Sequence, residues 1–216
     1  MKVAIFAAGG LGKVICEALC MEGKHKIAGF FDDKKKGKFC GYPILGRCSE
    51  HKKICKKFKI EAVIIGFGYF YQSVRNLYYT KIFKNKDLLF VNAVHPTAVI
   101  SPLANIGRGI YIGPQVVINP GTKIGDNTVI WAGTIIEHDN IIGKNVFITP
   151  GVRTAGYTEI GDNTFIGMGA NIAGVKIESQ VTVGAGSLVL DDVVRSKYIR
   201  GVPAKTIKKK NKSSYV

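Results

Sequence analysis

The second half of the chain carries a hydrophobic pattern with a period of six residues. Between positions 106 and 172 every sixth residue is isoleucine, with the single exception of Thr154, and the residue after each isoleucine is mostly glycine or another small or polar residue. The same register extends backward to Val94 and, after one deleted residue, forward to Val189. Internal repetition of this regularity predicts a repeat architecture.

A period of six does not fit an α-helix, because six residues turn a helix by about 600° and the stripe would wind around it. Short strands joined by turns keep every sixth residue on one face, and three hexapeptides close one triangular rung. The sequence therefore predicts a parallel β-helix of about five rungs over residues 94–190, with Gly or Asn at corners that need a positive φ. Since the end rungs of such a coil need covering, we expect the first half and residues 191–208 to cap it.

Residues 1–93 show a different pattern, in which short apolar runs alternate with helical segments. The pattern predicts strands at 2–7, 26–31, 62–66 and 88–92 and helices at 13–21 and 71–83. Strands and helices in this order are typical of a small, Rossmann-like parallel sheet with helices around it.

A glycine-rich turn follows the first strand of this half. The segment Ala7-x-Gly9-x-x-Gly12 matches the dinucleotide-binding fingerprint with Ala7 in place of the first glycine, and Asp32 lies twenty residues past Gly12, where a ribose contact belongs. A helix N-terminus behind these glycines attracts a phosphate or another anion. The alternative interpretation is a tight strand-to-helix turn that needs glycine for its shape alone.

Composition and charge narrow the class of protein. The chain has 216 residues, of which 46% are hydrophobic, and its 26 Gly and 7 Pro follow no period of three, so collagen and Gly/Pro-rich disorder are excluded. The net charge of +16 comes from the two ends of the chain. Residues 1–93 contain 18 Lys and Arg and 7 Asp and Glu, and residues 191–216 contain 8 Lys and Arg and 2 Asp and Glu. This distribution favours phosphate-bearing partners. No apolar window of about 18 residues and no export signal is visible, so we expect a cytoplasmic protein that does not bind membranes.

The remaining composition argues against metal and nucleic-acid sites. Five cysteines fall within the first 55 residues, are odd in number and lack C-x-x-C spacing, so we expect reduced thiols and no metal. A basic motif interleaved with aromatic residues is missing, and we therefore expect no nucleic-acid partner.

Six short segments together carry a resemblance to a known family: A-A-G-G-L-G-K, G-F-F-D-D, V-I-I-G, H-P-T-A-V-I-S, I-E-H-D-N-I-I-G and G-V-P-A-K. The chain resembles, over nearly its whole length, the nucleotide-sugar N-acetyltransferase and sialic acid O-acetyltransferase family of hexapeptide-repeat enzymes. The resemblance implies a left-handed β-helix, a homotrimer, and acetyl-CoA bound between neighbouring β-helices. It also implies acetyl transfer to the amine of a nucleotide-linked amino sugar, of the 4-amino-4,6-dideoxy type.

Acyl transfer from a thioester to an amine needs a base that accepts the amine proton, and histidine suits that role near neutral pH. We assign the role to His138, within the middle rungs. In the family an acidic residue follows this histidine and orients its ring, and Asp139 stands there, one methylene shorter than the Glu of a close relative. By the same resemblance, Gly156 provides the backbone N–H that stabilises the oxyanion.

The resemblance also supplies binding residues. For the nucleotide sugar these are Gly9, Gly10, Leu11, Asp32, Asp33 and Gly66, where Leu11 replaces a family histidine. For acetyl-CoA they are Phe147, which also replaces a family histidine, together with Met168, Ala185 and Lys205.

Two alternatives and a division into domains complete the expectations. The protein could instead acetylate a hydroxyl of a sialic-acid-like sugar, or it could be a non-catalytic nucleotide-binding trimer in which His138 is unused. We expect a nucleotide-sugar-binding domain over residues 1–93, a β-helix domain with a closing segment over 94–208, and a basic tail over 209–216.

Overall fold

The computed structural model describes residues 1–85 and 88–207, so the basic tail expected over 209–216 lies outside the described residues. The chain divides into two compact units. The first contains Met1–Pro96 and Arg108–Tyr111, and the second contains Thr97–Gly107 and the chain from Ile112 onward.

The first unit is a six-stranded sheet with helices around it. Its strands are β1 (Lys2–Phe6), β2 (Lys26–Phe31), β3 (Lys38–Phe39), β4 (Tyr42–Gly46), β5 (Ala62–Ile65) and β6 (Leu89–Phe90), followed by β7 (Ala93–Val94) outside that sheet. Its helices are α1 (Gly10–Glu22), α2 (His51–Phe58) and α3 (Gln72–Asn85), with 3₁₀ turns at Cys48–Glu50 and Tyr69–Tyr71. The sheet order is β3-β4-β2-β1-β5-β6, and all neighbours are parallel except β3 and β4.

The apolar strands that the sequence predicts form the centre of this sheet. Strand β1 lies between β2 and β5, and both of its faces are covered, which explains its nearly continuous apolar sequence. On one face Phe6 packs against Phe31 at a ring-centroid distance of 5.0 Å and against Tyr78 at 5.4 Å. The Rossmann-like half of the predicted fold is therefore confirmed.

Residues 32–61 contain elements that the sequence pattern did not reveal. Strands β3 and β4 form a hairpin across Cys40 and Gly41, whose φ values of 49° and 81° fit a two-residue turn. Helix α2 was also missed, because four lysines in its eight residues leave only a narrow apolar stripe at Ile54, Cys55 and Phe58.

The rest of the described chain forms short strands, most of them two residues long. They are β8 (Val99–Ile100), β9 (Asn105–Ile106), β10 (Tyr111–Ile112), β11 (Val117–Ile118), β12 (Lys123–Ile124), β13 (Val129–Ile130), β14 (Ile135–Ile136), β15 (Ile141–Ile142), β16 (Phe147–Ile148), β17 (Arg153–Thr154), β18 (Glu159–Ile160), β19 (Phe165–Ile166), β20 (Asn171–Ile172), β21 (Lys176–Ile177), β22 (Thr182–Val183), β23 (Leu188–Val189), β24 (Tyr198–Arg200) and β25 (Lys205–Thr206).

Three parallel sheets make the faces of this coil in the second unit. Sheet one has the order β8-β11-β14-β17-β20-β23, sheet two has β9-β12-β15-β18-β21, and sheet three includes β13-β16-β19-β22-β24-β25, with the last strand antiparallel. Residues 18 apart pair in successive rungs, as Ile118 pairs with Ile136, and the spacing falls to 17 where one residue is deleted, as between Ile160 and Ile177. The three hexapeptides per rung inferred from the sequence are thereby confirmed.

Stacked interior residues and stacked corners hold the coil together. The repeated isoleucines point inward, and those from Ile112 to Ile172 are at most 3% exposed. At one corner Asn127, Asn145 and Asn163 have positive φ, and their side-chain amides form a ladder of hydrogen bonds at 3.0 and 2.7 Å. Asparagine tolerates this backbone region better than most residues, which is why it alternates with glycine at the corners.

Candidate active site

His138 and Asp139 form the turn that leaves strand β14, at the corner that follows sheet one. The positive φ of 55° at Asp139 bends its carboxylate back toward the neighbouring ring. His138 Nδ1 lies 2.9 Å from Asp139 Oδ2, and each side chain is 49% exposed. When Nδ1–H donates to Asp139, the lone pair of the ring is on Nε2. The shorter Asp thus reaches the imidazole.

Gly156 lies one rung above, directly against this imidazole. An ideal Cβ built on Gly156 would be 2.6 Å from Cε1 and 2.7 Å from Nε2 of His138, closer than any real side chain allows. The amides on either side, those of Ala155 and Tyr157, donate to the carbonyls of Ile172 and His138. Within the described residues the Gly156 amide has no protein acceptor. His138, Asp139 and Gly156 therefore come together as the resemblance implies.

Tyr157 is a neighbour of His138 that the sequence analysis missed. Its ring is 69% exposed and meets the imidazole edge-on, with ring centroids 5.2 Å apart and an interplanar angle of 88°. The rung length could have revealed it, because a residue 18 or 19 positions after His138 must lie above it in the coil. The corner offers an imidazole with one oriented nitrogen, a free backbone donor and an aromatic wall.

Met168 and Ala185 lie at a different corner, the one that follows sheet three. The carbonyl of Met168 accepts a hydrogen bond from the amide of Gly186, so both residues belong to one column of turns, and both are exposed. His138 stands at the opposite end of the strands of sheet one. About six residues of each rung lie between the two corners, so the corners are separated by up to about 20 Å along the face formed by sheet one. One chain therefore does not bring these residues to His138.

Phe147 and Lys205 differ in their exposure. Phe147 is only 4% exposed and stacks on Phe165, with centroids 6.0 Å apart and Trp131 at 6.4 Å. Lys205 is exposed on β25, where it pairs with Arg200. A coenzyme contact at either residue stays a prediction, and the cation pair at Arg200 and Lys205 is suited to a phosphate.

In the first unit, the glycine turn opens helix α1. Gly9 is the N-cap of α1 and, having no side chain, makes no capping hydrogen bond. The first turn of α1 also contains no acidic residue. A Cβ on Gly9 or Gly10 would meet nothing within 4 Å, whereas one on Gly12 would overlap the Ala7 carbonyl oxygen. Gly9 and Gly10 therefore leave open space in front of a helix N-terminus, which suits an anion.

Asp32 fastens this turn through its carboxylate. Oδ2 accepts a hydrogen bond from the Ala8 amide at 2.8 Å, and Oδ1 accepts from the amides of Lys34 and Lys35 at 2.9 and 2.8 Å. Partial burial raises the pKa of Asp32, but the amides of Lys35, Ala8 and Lys34 outweigh it, and the net pKa is below the ordinary value. Lys35 Nζ also donates to the Ala8 carbonyl at 2.7 Å. The turn is thus held in place before any ligand binds.

The other predicted nucleotide-binding residues support the same turn from behind. Asp33 accepts a hydrogen bond from the Cys48 amide at 2.8 Å, and Leu11 is buried. A Cβ on Gly66 would lie 2.8 Å from the Phe6 carbonyl oxygen and 3.0 Å from Gly12 Cα, so Gly66 permits close packing behind the turn.

The described residues offer neither a cluster of metal ligands nor a membrane-spanning helix. No group of three or more His, Cys, Asp or Glu side chains in that part of the chain is arranged to hold a metal ion. None of the described helices is both long enough and apolar enough to cross a membrane.

Comparison with known families assigns both halves of the chain. A family model described as the PglD N-terminal domain matches residues 2–82. The model for bacterial transferase hexapeptide (six repeats) matches residues 103–138, 121–156 and 157–191. A search of curated protein sequences finds no significant match.

Solved structures with the same two-part fold include sugar acetyltransferases. The acetyltransferase domain of PglB from Neisseria gonorrhoeae FA1090 is 28% identical, with a TM-score of 0.88, covering 95% of this chain and 99% of that one, and it has also been solved with acetyl coenzyme A. A mutant of GDP-perosamine N-acetyl transferase from Caulobacter crescentus, in complex with CoA and GDP-perosamine, is 29% identical, with a TM-score of 0.89, covering 97% and 98%. WeeI from Acinetobacter baumannii AYE, 24% identical with a TM-score of 0.81 and covering 96% and 100%, shares the fold.

The fold and the comparisons thus define a left-handed β-helix acyltransferase of the hexapeptide-repeat class. Within that class, the chain joins a PglD N-terminal domain to hexapeptide repeats, and it is similar over nearly its whole length to the solved sugar acetyltransferases. The family, the fold class and the enzyme class inferred from the sequence are confirmed.

Proposed function

We propose that this protein transfers the acetyl group of acetyl-CoA to the amine of a nucleotide-linked amino sugar, of the 4-amino-4,6-dideoxy type, in the cytoplasm. The observation that carries the proposal is the His138 corner, where an imidazole is fixed by Asp139 and packed on Gly156. The relatives solved with acetyl coenzyme A, and with CoA and GDP-perosamine, support both substrates.

The residues at this corner account for each step of a direct transfer. His138 Nε2 accepts a proton from the attacking amine while the new N–C bond forms at the thioester carbonyl. The Gly156 amide donates to the oxyanion that develops on that carbonyl oxygen. As the C–S bond breaks, His138 returns its proton to the leaving CoA sulfur. Asp139 keeps the ring in one tautomer and stabilises the imidazolium in between.

The separation of the two corners supports a homotrimer. Met168 and Ala185 are exposed among glycines, and the neighbouring cations Arg200 and Lys205 suit the phosphates of acetyl-CoA. Because these residues lie one face away from His138, we propose that a second copy supplies them to each active site. A cyclic trimer closes such head-to-tail contacts.

For the nucleotide part of the substrate, we propose the glycine turn of the first unit. Gly9 and Gly10 leave room for a phosphate at the N-terminus of α1, and the positive charge of this half favours it. Asp32, half-buried directly after β2, has one unshared acceptor site left beyond its three amide bonds, and we propose that a sugar hydroxyl group binds there.

The test is a thiol-release assay with acetyl-CoA and a panel of UDP-, dTDP- and GDP-linked amino sugars. We expect CoA release with at least one amino sugar and no release with the matching hydroxy sugar. Release with a sialic-acid-like sugar alone would favour O-acetylation. Tight nucleotide binding without any release would favour a non-catalytic protein.

A further inference from the structure

Asn140 departs from the repeat at a fully buried position. It is the fourth residue of its hexapeptide, and between positions 122 and 164 this place points inward and is 0% exposed in every rung. The other occupants are threonine or valine: Thr122, Thr128, Thr134, Val146, Val152, Thr158 and Thr164. The asparagine side chain reaches one atom further from the backbone than threonine or valine and is more polar than either.

The Asn140 side chain is surrounded by the backbone of the active-site corner. Nδ2 donates to the carbonyl oxygens of Glu137 at 2.7 Å, His138 at 3.0 Å and Ala155 at 3.0 Å. Oδ1 is buried and has no hydrogen-bond partner in the described part of the chain. An unpartnered buried acceptor is unfavourable for folding and offsets part of what the bonds of Nδ2 contribute, a cost that a threonine at this position would avoid.

Threonines at the equivalent position of other hexapeptides show which of these bonds require an asparagine. The hydroxyls of Thr122, Thr128 and Thr134 each donate to the carbonyl 15 residues later. A threonine hydroxyl at position 140 would by the same geometry donate to the Ala155 carbonyl and to neither of the other two carbonyls. The Glu137 carbonyl also accepts from the Thr122 hydroxyl and the His138 carbonyl from the Tyr157 amide, and Asn140 adds a side-chain donor that a threonine would not supply to either.

The three bonded carbonyls belong to the peptide groups that set the active-site geometry. Glu137 and His138 contribute the two peptide groups that flank the imidazole. The Ala155 carbonyl shares one peptide group with the Gly156 N–H, the proposed oxyanion donor. A hydrogen bond to that carbonyl fixes the plane of the peptide group and polarises its N–H.

A second departure from the repeat lies at the same corner. Thr154 interrupts the stack of isoleucines, is 3% exposed, and accepts a hydrogen bond from the Glu137 amide through its hydroxyl at 3.3 Å. The interior of the coil thus places two exceptional polar side chains against one backbone segment, the one that leads into His138.

We propose that Asn140 is a positioning residue that holds the His138 turn and the Gly156 peptide group in a fixed relation across two rungs, with Thr154 supporting the same segment. This inference rests on the proposed function of the corner. The benefit to catalysis is that the proposed base and the proposed oxyanion donor are held in their correct places. Misplacing a catalytic group by about 1 Å can lower the rate roughly a hundredfold.

The test compares Asn140→Thr with Thr128→Val. Asn140→Thr puts the usual residue of the coil at this position, so we expect an unchanged or higher melting temperature. We also expect unchanged KM for both substrates and a kcat that falls about tenfold or more. Thr128→Val removes the two buried hydrogen bonds that Thr128 Oγ1 makes at another corner, with the Gly143 carbonyl and the Val146 amide, and its kcat should match wild type. Wild-type kcat in Asn140→Thr would overturn the proposal.

Two further measurements separate this inference from the proposed function. Thr154→Val, which keeps the side-chain shape, should also lower kcat without changing either KM. In ¹⁵N imidazole NMR spectra, Asn140→Thr should shift the His138 signals and leave those of the other three histidines in place. Unshifted His138 signals would contradict the positioning role even if wild type released no CoA, an outcome that would instead count against the proposed reaction.

Discussion

The imidazole of His138 rests on Gly156, so that a methyl group at position 156 would occupy space within 2.7 Å of Nε2. The two residues are 18 positions apart, which is one turn of the coil, and Gly156 has no positive φ that would itself demand glycine. Glycine is therefore required here by the imidazole one rung below it. The repeat length thus brings the proposed base and the Gly156 amide to the same corner of the coil.

Gly156→Ala should reduce kcat about a hundredfold while the protein stays folded. The added Cβ forces the imidazole away from its place, and displacement of a catalytic group has a cost of this size. Circular dichroism and steady-state kinetics measure the two effects. Gly68→Ala is the control, because a Cβ there meets nothing within 4 Å. A kcat within twofold of wild type for Gly156→Ala would show that the ring can move without consequence.

Much of this corner follows from the repeat, and the parts that do not have physical reasons. Eighteen residues per rung place residue 156 over residue 138, and the same arithmetic puts Met168, thirty residues on, at another corner. The bond between Asp32 and the Ala8 amide could not be predicted, because it depends on how two loops that follow different strands meet. The contacts of Asn140 required knowing which carbonyls its amide faces.

Asp139→Asn should lower kcat less than His138→Ala does. Removing a general base costs about 10²–10⁴ in rate, whereas the carboxylate acts only through the ring. Asparagine also tolerates the positive φ of 55° at this position, so the turn should survive the change. Steady-state kinetics of both variants give the comparison. An unchanged kcat for Asp139→Asn would mean that the 2.9 Å contact has no role in the reaction.

Asp32→Asn should destabilise the protein at neutral pH and less so in acid. Because the folded-state pKa of Asp32 is lowered, its carboxylate contributes stability above the unfolded-state pKa, and that contribution is lost as the pH falls through the folded-state value. Hydrogen bonds to a charged group suggest about 1–3 kcal/mol at pH 7. Urea unfolding of both proteins at pH 7 and at pH 3 measures the difference. A gap that does not narrow in acid would contradict the assignment.

Co-expression of His138→Ala with Met168→Glu should restore activity that neither variant has alone. If each site combines the His138 corner of one chain with the Met168 corner of the next, random trimers contain about a quarter of intact sites. Sedimentation should show trimers for wild type and for the mixture. If the mixture forms trimers but recovers no activity, each active site must take its His138 corner and its Met168 corner from the same chain.

Gly10→Val should raise KM for the nucleotide sugar and leave KM for acetyl-CoA nearly unchanged. The position tolerates a side chain, since nothing lies within 4 Å of an added Cβ, so the fold should persist. A branched side chain at the first residue of α1 would, however, fill the space in which a phosphate approaches the helix N-terminus. Acetyl-CoA is expected to bind the β-helix, so its KM should not respond to the change.

Gly12→Ala is the contrasting variant. Its added Cβ would overlap the Ala7 carbonyl oxygen, so this variant should lower the melting temperature instead. Calorimetric titration with the nucleotide sugar and with NAD completes the test: we expect binding of the sugar nucleotide alone, and tight binding of NAD would show that the glycine turn serves a dinucleotide.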